Sequence, residues 1–232
     1  MTINSPVVVA LDYSSQEDAL AMASLLDPSQ CRVKVGKELF TSSGQGVVKH
    51  LVNKGFEVFL DLKFHDIPNT CAKAVNAAAD LGVWMVNVHA SGGRRMMEAA
   101  AEVLDKRSVD KPLLIGVTVL TSMDDDDLRE IGFASTAQDQ VIRLAKLAES
   151  SGLDGVVCSA QEVALIREHC SPEFATVTPG IRPSWSQNQD QKRIMTPLDA
   201  QKAGVDYMVI GRPITQAEDP LLACQKVLSE LA

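Results

Sequence analysis

Apolar residues in this chain collect into eight short runs rich in Val, Ile, Leu and Met, at residues 7–12, 31–36, 57–63, 85–90, 113–120, 155–159, 175–180 and 206–211. Runs such as Val7-Val8-Val9-Ala10-Leu11 are apolar at consecutive positions, not at every second one. That predicts strands covered on both faces, as in a parallel sheet. The cover is predicted in the intervals: segments 16–26, 72–81, 93–104, 139–150 and 221–231 are Ala-rich or carry apolar residues at helical spacing. Gly55, Gly82, Gly152 and Gly204 follow candidate helices, where a left-handed C-cap falls. Eight β–α units in 232 residues, with no linker, predict one (β/α)8 TIM barrel with parallel strands over residues 1–232. A doubly wound sheet would need fewer strands or a second domain.

One run breaks the apolar pattern. Phe59-Leu60-Asp61-Leu62-Lys63 drives an acid and a base out of a buried strand, and Asp66 adds another acid three residues later. Alternation along a strand turns Asp61 and Lys63 to one face and Leu60 and Leu62 to the other, so the two charges share a site. A structural ion pair at a strand end is one reading, but burying ions costs several kcal/mol each, and a functional site is the better account of that cost.

Composition narrows the classes. Hydrophobic residues make up 46% of the chain, ample for a large core, and 22 basic against 30 acidic side chains leave a net charge of −8. An acidic chain is not built for general attraction to nucleic acid or anionic membrane, so an anionic ligand must meet a local basic pocket. Cys31, Cys71, Cys158, Cys170 and Cys224 are scattered without a C-x-x-C pair, which suggests neither a disulfide framework nor a zinc site. Residues 1–6 lack the pattern of a secretion signal, and no apolar stretch approaches the roughly 18 residues of a membrane span, so a cytoplasmic protein is expected.

In a barrel of this kind the active site lies at the C-terminal ends of the strands. The polar residues there are Asp12 after the first strand, Lys34 in the second, Asp61 and Lys63 in the third, Asn87 and His89 in the fourth, and Thr121-Ser122 after the fifth. Arg182 follows the seventh and Gly211-Arg212-Pro213 the eighth. Loops after strands seven and eight commonly grip phosphate, a Gly letting the backbone approach and an Arg supplying a charged fork, although Arg212 paired with a surface acid fits the same three residues. His89 and His65 read more readily as supporting histidines than as bases. The polar stretch 183–193 after the seventh strand reads as a lid or as an ordinary surface loop. Asp124-Asp125-Asp126-Asp127 reads as a solvated turn or helix start, not a cation site.

Taken together, Asp61-Leu62-Lys63-Phe64-His65-Asp66-Ile67-Pro68-Asn69-Thr70, Val177-Thr178-Pro179-Gly180-Ile181-Arg182-Pro183 and Val209-Ile210-Gly211-Arg212-Pro213-Ile214 resemble the bacterial orotidine 5′-phosphate decarboxylase family. The first is similar to its D-x-K-x-x-D signature and the other two to its phosphate-side motifs, and the resemblance runs over nearly the whole chain. It implies a homodimeric (β/α)8 barrel that converts orotidine 5′-monophosphate to UMP and carbon dioxide, without metal or organic cofactor, as the last step of de novo UMP synthesis.

By the same resemblance Lys63 gives a proton to C6 of the pyrimidine, Asp61 faces the departing carboxylate, and Lys34 organises the charges. Asp66 and Thr70 are expected to reach into the partner subunit's site. Asp12 and Lys34 are expected at the ribose hydroxyls, Thr121 with Ser122 at the pyrimidine, and Gln191, Gly211, Arg212 and Arg182 at the phosphate. Two rivals stay open. Magnesium-dependent sugar-phosphate decarboxylases and aldolases share the D-x-K-x-x-D strand but carry an acid on strand two, where this chain has Lys34. A non-catalytic nucleotide-binding barrel would bind without turnover.

Overall fold

The computed structural model describes residues 3–186 and 195–231. The elements run β1 (Val7–Ala10), α1 (Gln16–Ser24), β2 (Arg32–Gly36), α2 (Lys37–Ser43), α3 (Gln45–Asn53), β3 (Val58–Phe64), α4 (Pro68–Ala79), β4 (Met85–His89), α5 (Arg94–Asp105) and β5 (Leu113–Val117). They continue α6 (Asp125–Glu130), α7 (Ala137–Glu149), β6 (Gly155–Val157), α8 (Val163–His169), β7 (Ala175–Pro179), α9 (Pro197–Lys202), β8 (Tyr207–Ile210), α10 (Arg212–Thr215) and α11 (Pro220–Glu230). Neighbouring strands pair in parallel, and β8 closes on β1, giving a barrel in the order β1 to β8. The eight expected strands are all present, but most end one to three residues before the apolar runs do, as at Val117 against residue 120. Hydrophobic content marks what is buried, and at Ala90 and Val119 the chain has left the ladder while still packed.

Two cores follow from strand alternation. Val8, Ala10, Phe59, Met85, Ile115, Val177 and Val209 point into the barrel and fill it. The opposite faces, with Val7, Val9, Val33, Val35, Leu60, Val86, Val88 and Val156, pack against the helical ring. Helix starts are set locally: Ser15, Thr136, Thr196 and Asp219 each accept a backbone N–H from their own first turn. Asp124 and Asp127 form a reciprocal capping box at α6, so the acidic run is the helix start that was expected. Gly55, Gly82, Gly152 and Gly204 all hold positive φ, between 79° and 91°, ending helices as anticipated.

The N-terminal mouth of the barrel is plugged. Arg32, 2% exposed, lies with its guanidinium 4.2 Å from the Trp84 ring centroid and 5.2 Å from that of Tyr207. It donates to the carbonyls of Ser5 and Ile3, and its Nε stands 2.7 Å from Glu57 Oε2 as an ion pair. A buried charge is tolerated here because it is paired, stacked and hydrogen-bonded at once. All five cysteines are free, and all but Cys170 are buried. No helix among the described residues is long and apolar enough to cross a membrane.

Candidate active site

At the opposite mouth, consecutive strands deliver alternating charges. Register sets Ala10 beside Lys34, and Gly36 beside Asp61. Lys34 Nζ lies 3.0 Å from Asp12 Oδ1 and 3.6 Å from Asp61 Oδ2, and Lys63 Nζ lies 2.5 Å from Asp61 Oδ1. The result is a chain Asp12–Lys34–Asp61–Lys63 in which each inner charge touches two of opposite sign. Gly36 leaves room beside it: a Cβ there would stand 3.2 Å from Lys34 Nζ and 3.6 Å from Asp12 Oδ1, crowding the lysine by a few tenths of an ångström. Burial alone would push the Asp61 carboxyl up. The Lys34 and Lys63 ammoniums, with hydrogen bonds from Lys63 and Asn87, outweigh it and hold the group below the ordinary carboxylate value.

Simple alternation does not account for β3. Pairing with β4 is regular at Phe59–Met85 and Leu60–Val86, then breaks, resuming at Phe64–Val88. Inside that bulge Lys63 adopts φ 52°, a left-handed conformation that costs a non-glycine residue roughly 1–2 kcal/mol. The expected meeting of Asp61 and Lys63 is therefore made by a bulge, not by a straight strand. Asn87 holds the bulge open. Its Oδ1 accepts the Lys63 backbone N–H at 2.7 Å, and its Nδ2 donates to Asp61 Oδ1 at 2.7 Å. In the sequence Asn87 marks only the strand end at the rim, with no role of its own. Its signal was an amide two residues after Met85 on the barrel-facing side of a parallel strand, and it is 0% exposed.

Lys34, Asp61 and Lys63 line a cavity of about 200 Å³ whose other walls are Phe59, Val117, Val119, Leu120, Thr121, Val157, Cys158, Val177, Pro179 and Val209. It is apolar except where Lys34, Asp61, Lys63 and Thr121 face it. Thr121 is part of this wall. Ser122 is exposed beside it and not part of the wall. A second cavity, of about 320 Å³, opens between the ends of β7 and β8 and is lined by Arg182, Trp185, Ser186, Arg212, Pro213, Gln216 and Ala217. The two expected phosphate arginines thus meet in one hollow. Gly211 packs close to the charge chain, a Cβ there falling 3.7 Å from Ala10 Cβ and 4.0 Å from Asp12 Oδ2. Gln191 and most of the expected lid, residues 187–193, lie outside the described residues.

Asp66 and Thr70 do not join the cluster within this chain. Both are exposed with Ile67, which is 67% exposed, at the start of α4, and Asp66 Oδ1 accepts the Ile67 N–H at 2.7 Å. His89 stacks at a tilt against His65, centroids 5.6 Å apart. Burial first, then the His65, Lys37 and Lys63 charges, lower its pKa to about 4, with Asp61 opposing. A neutral imidazole near neutral pH fits the supporting role read for it. Among the described residues no group of three or more His, Cys, Asp or Glu side chains is arranged to hold a metal ion.

Orotidine 5′-phosphate decarboxylase from Sodalis glossinidius is 63% identical over 227 residues, covering 98% of this chain and 90% of that protein. The enzyme of the same name from Vibrio campbellii is 61% identical over 230 residues, covering 99% of each. The crystal structure of orotidine 5′-phosphate decarboxylase from Lactobacillus acidophilus superposes with a TM-score of 0.88 at 42% identity, covering 97% of this chain and 98% of that one. The model of the orotidine 5′-phosphate decarboxylase / HUMPS family matches residues 5–227, and the chain belongs to that family.

Proposed function

We propose that this chain decarboxylates orotidine 5′-monophosphate to UMP and carbon dioxide, without metal or organic cofactor, as a cytoplasmic homodimer serving de novo pyrimidine synthesis. The observation that carries the reading is the Asp12–Lys34–Asp61–Lys63 chain on one side of an apolar cavity, with Arg182 and Arg212 together in a second hollow. The pyrimidine enters the first and the phosphate the second. Asp12 and Lys34 bind ribose hydroxyls, Thr121 and Ser122 the base, and Gln191, Gly211, Arg212 and Arg182 the phosphate. Asp66 and Thr70 complete the partner's site.

The chemistry breaks the bond between C6 and the carboxylate carbon. Its electron pair stays on C6 and neutral carbon dioxide departs. On a route that uses no cofactor ring to delocalise that pair, the protein must stabilise it electrostatically. Lys63, held by Asp61 and aimed by the bulge, supplies an ammonium whose attraction grows as charge moves onto C6, then passes a proton to that carbon and is recharged from solvent. Asp61 beside the substrate carboxylate adds repulsion in the ground state. Two like charges about 4 Å apart interact by roughly 4 kcal/mol at an effective dielectric of 20. That repulsion disappears as carbon dioxide forms, but stabilisation of the C6 anion contributes more to the rate. Phosphate binding, remote from C6, supplies energy for excluding water.

The magnesium-dependent sugar-phosphate reading is disfavoured by Lys34, whose ammonium lies between Asp12 and Asp61 where an acidic ligand would be needed. Lys63→Ala tests the assignment. It should fold, retain UMP binding and lose at least about 10³-fold in kcat, because it removes both the charge partner and the proton. A residual rate within about tenfold of the parent would sink the proton-donor role.

A further inference from the structure

One aromatic side chain beside the second cavity is held from two directions by a helix that carries no residue of the site. Trp185 follows Arg182 by three residues on the segment leaving β7. Its Nε1–H donates to Glu230 Oε1 at 2.8 Å, and Lys226 Nζ stands 4.6 Å from its ring centroid. Lys226 and Glu230 lie one turn apart on α11, so both act from a single helix face. Ser186 turns back on Pro183, its N–H and Oγ donating to the Pro183 carbonyl at 3.0 and 2.9 Å, which shapes the short turn that carries the indole. The Arg182 N–H donates to the Met195 carbonyl at 2.9 Å, and Ile181 and Met195 form a bridge. Arg182 therefore sits on a closed stem, with Trp185 on the departing side of it.

We propose that Trp185 is a positioning residue for the anion-binding cavity. Glu230 and Lys226 fix the indole, and the fixed indole forms the wall within which Arg182 and Arg212 close on the substrate phosphate. Gripping an oxyanion costs an arginine its rotamer freedom, and a rigid wall that restricts the side chain beforehand lowers that cost. The C-terminal helix thereby becomes part of substrate recognition without touching substrate. The inference rests on the phosphate reading of this cavity given above.

The test compares kcat/KM for orotidine 5′-monophosphate with that for orotidine, the same substrate without phosphate. Trp185→Ala should lower the phosphorylated value by about 10- to 50-fold, and Trp185→Phe, which keeps the ring but not the N–H, by about 3- to 10-fold. Glu230→Ala should behave as Trp185→Phe does, and Glu230→Gln, which keeps an acceptor, should restore the parent value within about twofold. Orotidine should be handled alike by all of them. Unchanged phosphorylated values in the Trp185 variants, or equal losses on both substrates, overturn the proposal. If Trp185→Ala fails to fold, Trp185→Phe and the Glu230 pair decide. Arg212→Ala separates the two readings: a loss confined to the phosphorylated substrate keeps the phosphate cavity and, beside normal Trp185 variants, rejects the clasp alone. Equal loss on both substrates rejects the cavity assignment itself.

Discussion

Replacing Asn87 by Ala should damage catalysis more than its distance from any ionisable role suggests. The side chain is wholly buried and makes two 2.7 Å hydrogen bonds, one donated to the Asp61 carboxylate and one accepted from the Lys63 backbone N–H. A hydrogen bond to a charged group contributes about 1.5–3 kcal/mol, and a buried N–H left without a partner costs about 1–3 kcal/mol. Lys63 is also held at φ 52°, a conformation that survives only while its surroundings enforce it. Without Asn87 the bulge has reason to relax, moving the ammonium away from where charge develops. A displacement of about 1 Å costs about 10²-fold in rate, or about 2.7 kcal/mol of transition-state stabilisation. The expected outcome is a kcat/KM for orotidine 5′-monophosphate reduced by about 10²-fold, with urea unfolding showing a loss of about 2–4 kcal/mol. Asn87→Asp keeps the acceptor for the Lys63 N–H but sets a second carboxylate against Asp61, so it should be no better than Ala. The fall in ultraviolet absorbance as orotidine 5′-monophosphate becomes UMP, followed for the parent and both variants, decides. A kcat/KM within about threefold of the parent in Asn87→Ala would refute the idea that this amide aims the lysine.

Other consequences follow from the same contacts. If Asp66 serves the partner's site, Lys63→Ala and Asp66→Ala proteins, each inactive alone, should recover up to about a quarter of parental activity when unfolded together and reassembled, since half the dimers then carry one intact site; no recovery would count against a shared site. Glu57→Gln at the opposite mouth should cost about 3 kcal/mol in urea unfolding by leaving the Arg32 charge poorly paired, with kcat unchanged. His89 takes up its proton near pH 4 when folded, against 6.5 as an ordinary histidine. Between those values the unfolded chain binds the extra proton, so the stability this group contributes is full above pH 6.5 and lost as pH falls towards 4. With the ring only half-buried the loss should be about 1–2 kcal/mol after allowing for solvent screening, and a stability–pH profile of His89→Gln should be flatter over that window.

The barrel was legible in the sequence because each of its strands is buried on both faces, and an uninterrupted apolar run is the plain signature of that burial. Where the runs continue past the ladder, as at Val119, buried beyond the end of β5, composition reports burial and not strand pairing, so the apolar runs overshoot the strand ends. The charged pair on β3 was legible for the opposite reason, since no core position accepts Asp61 and Lys63 without purpose. Lys63's backbone conformation was not legible. Nothing in Leu62-Lys63-Phe64 marks a left-handed residue, and the Lys63 N–H is met there by Asn87 from the next strand. Trp185 went unremarked within a polar stretch because its partners, Lys226 and Glu230, lie some forty residues downstream in a helix that reads as ordinary cover.

If these charges remove carbon dioxide from orotidine 5′-monophosphate without a metal, the ultraviolet absorbance of that nucleotide, mixed with purified protein pretreated with EDTA, falls rapidly to the spectrum of UMP at a rate unaffected by the chelator. A stable absorbance alongside tight UMP binding would contradict it and identify a non-catalytic nucleotide-binding barrel, and turnover abolished by EDTA would return the magnesium-dependent sugar-phosphate reading.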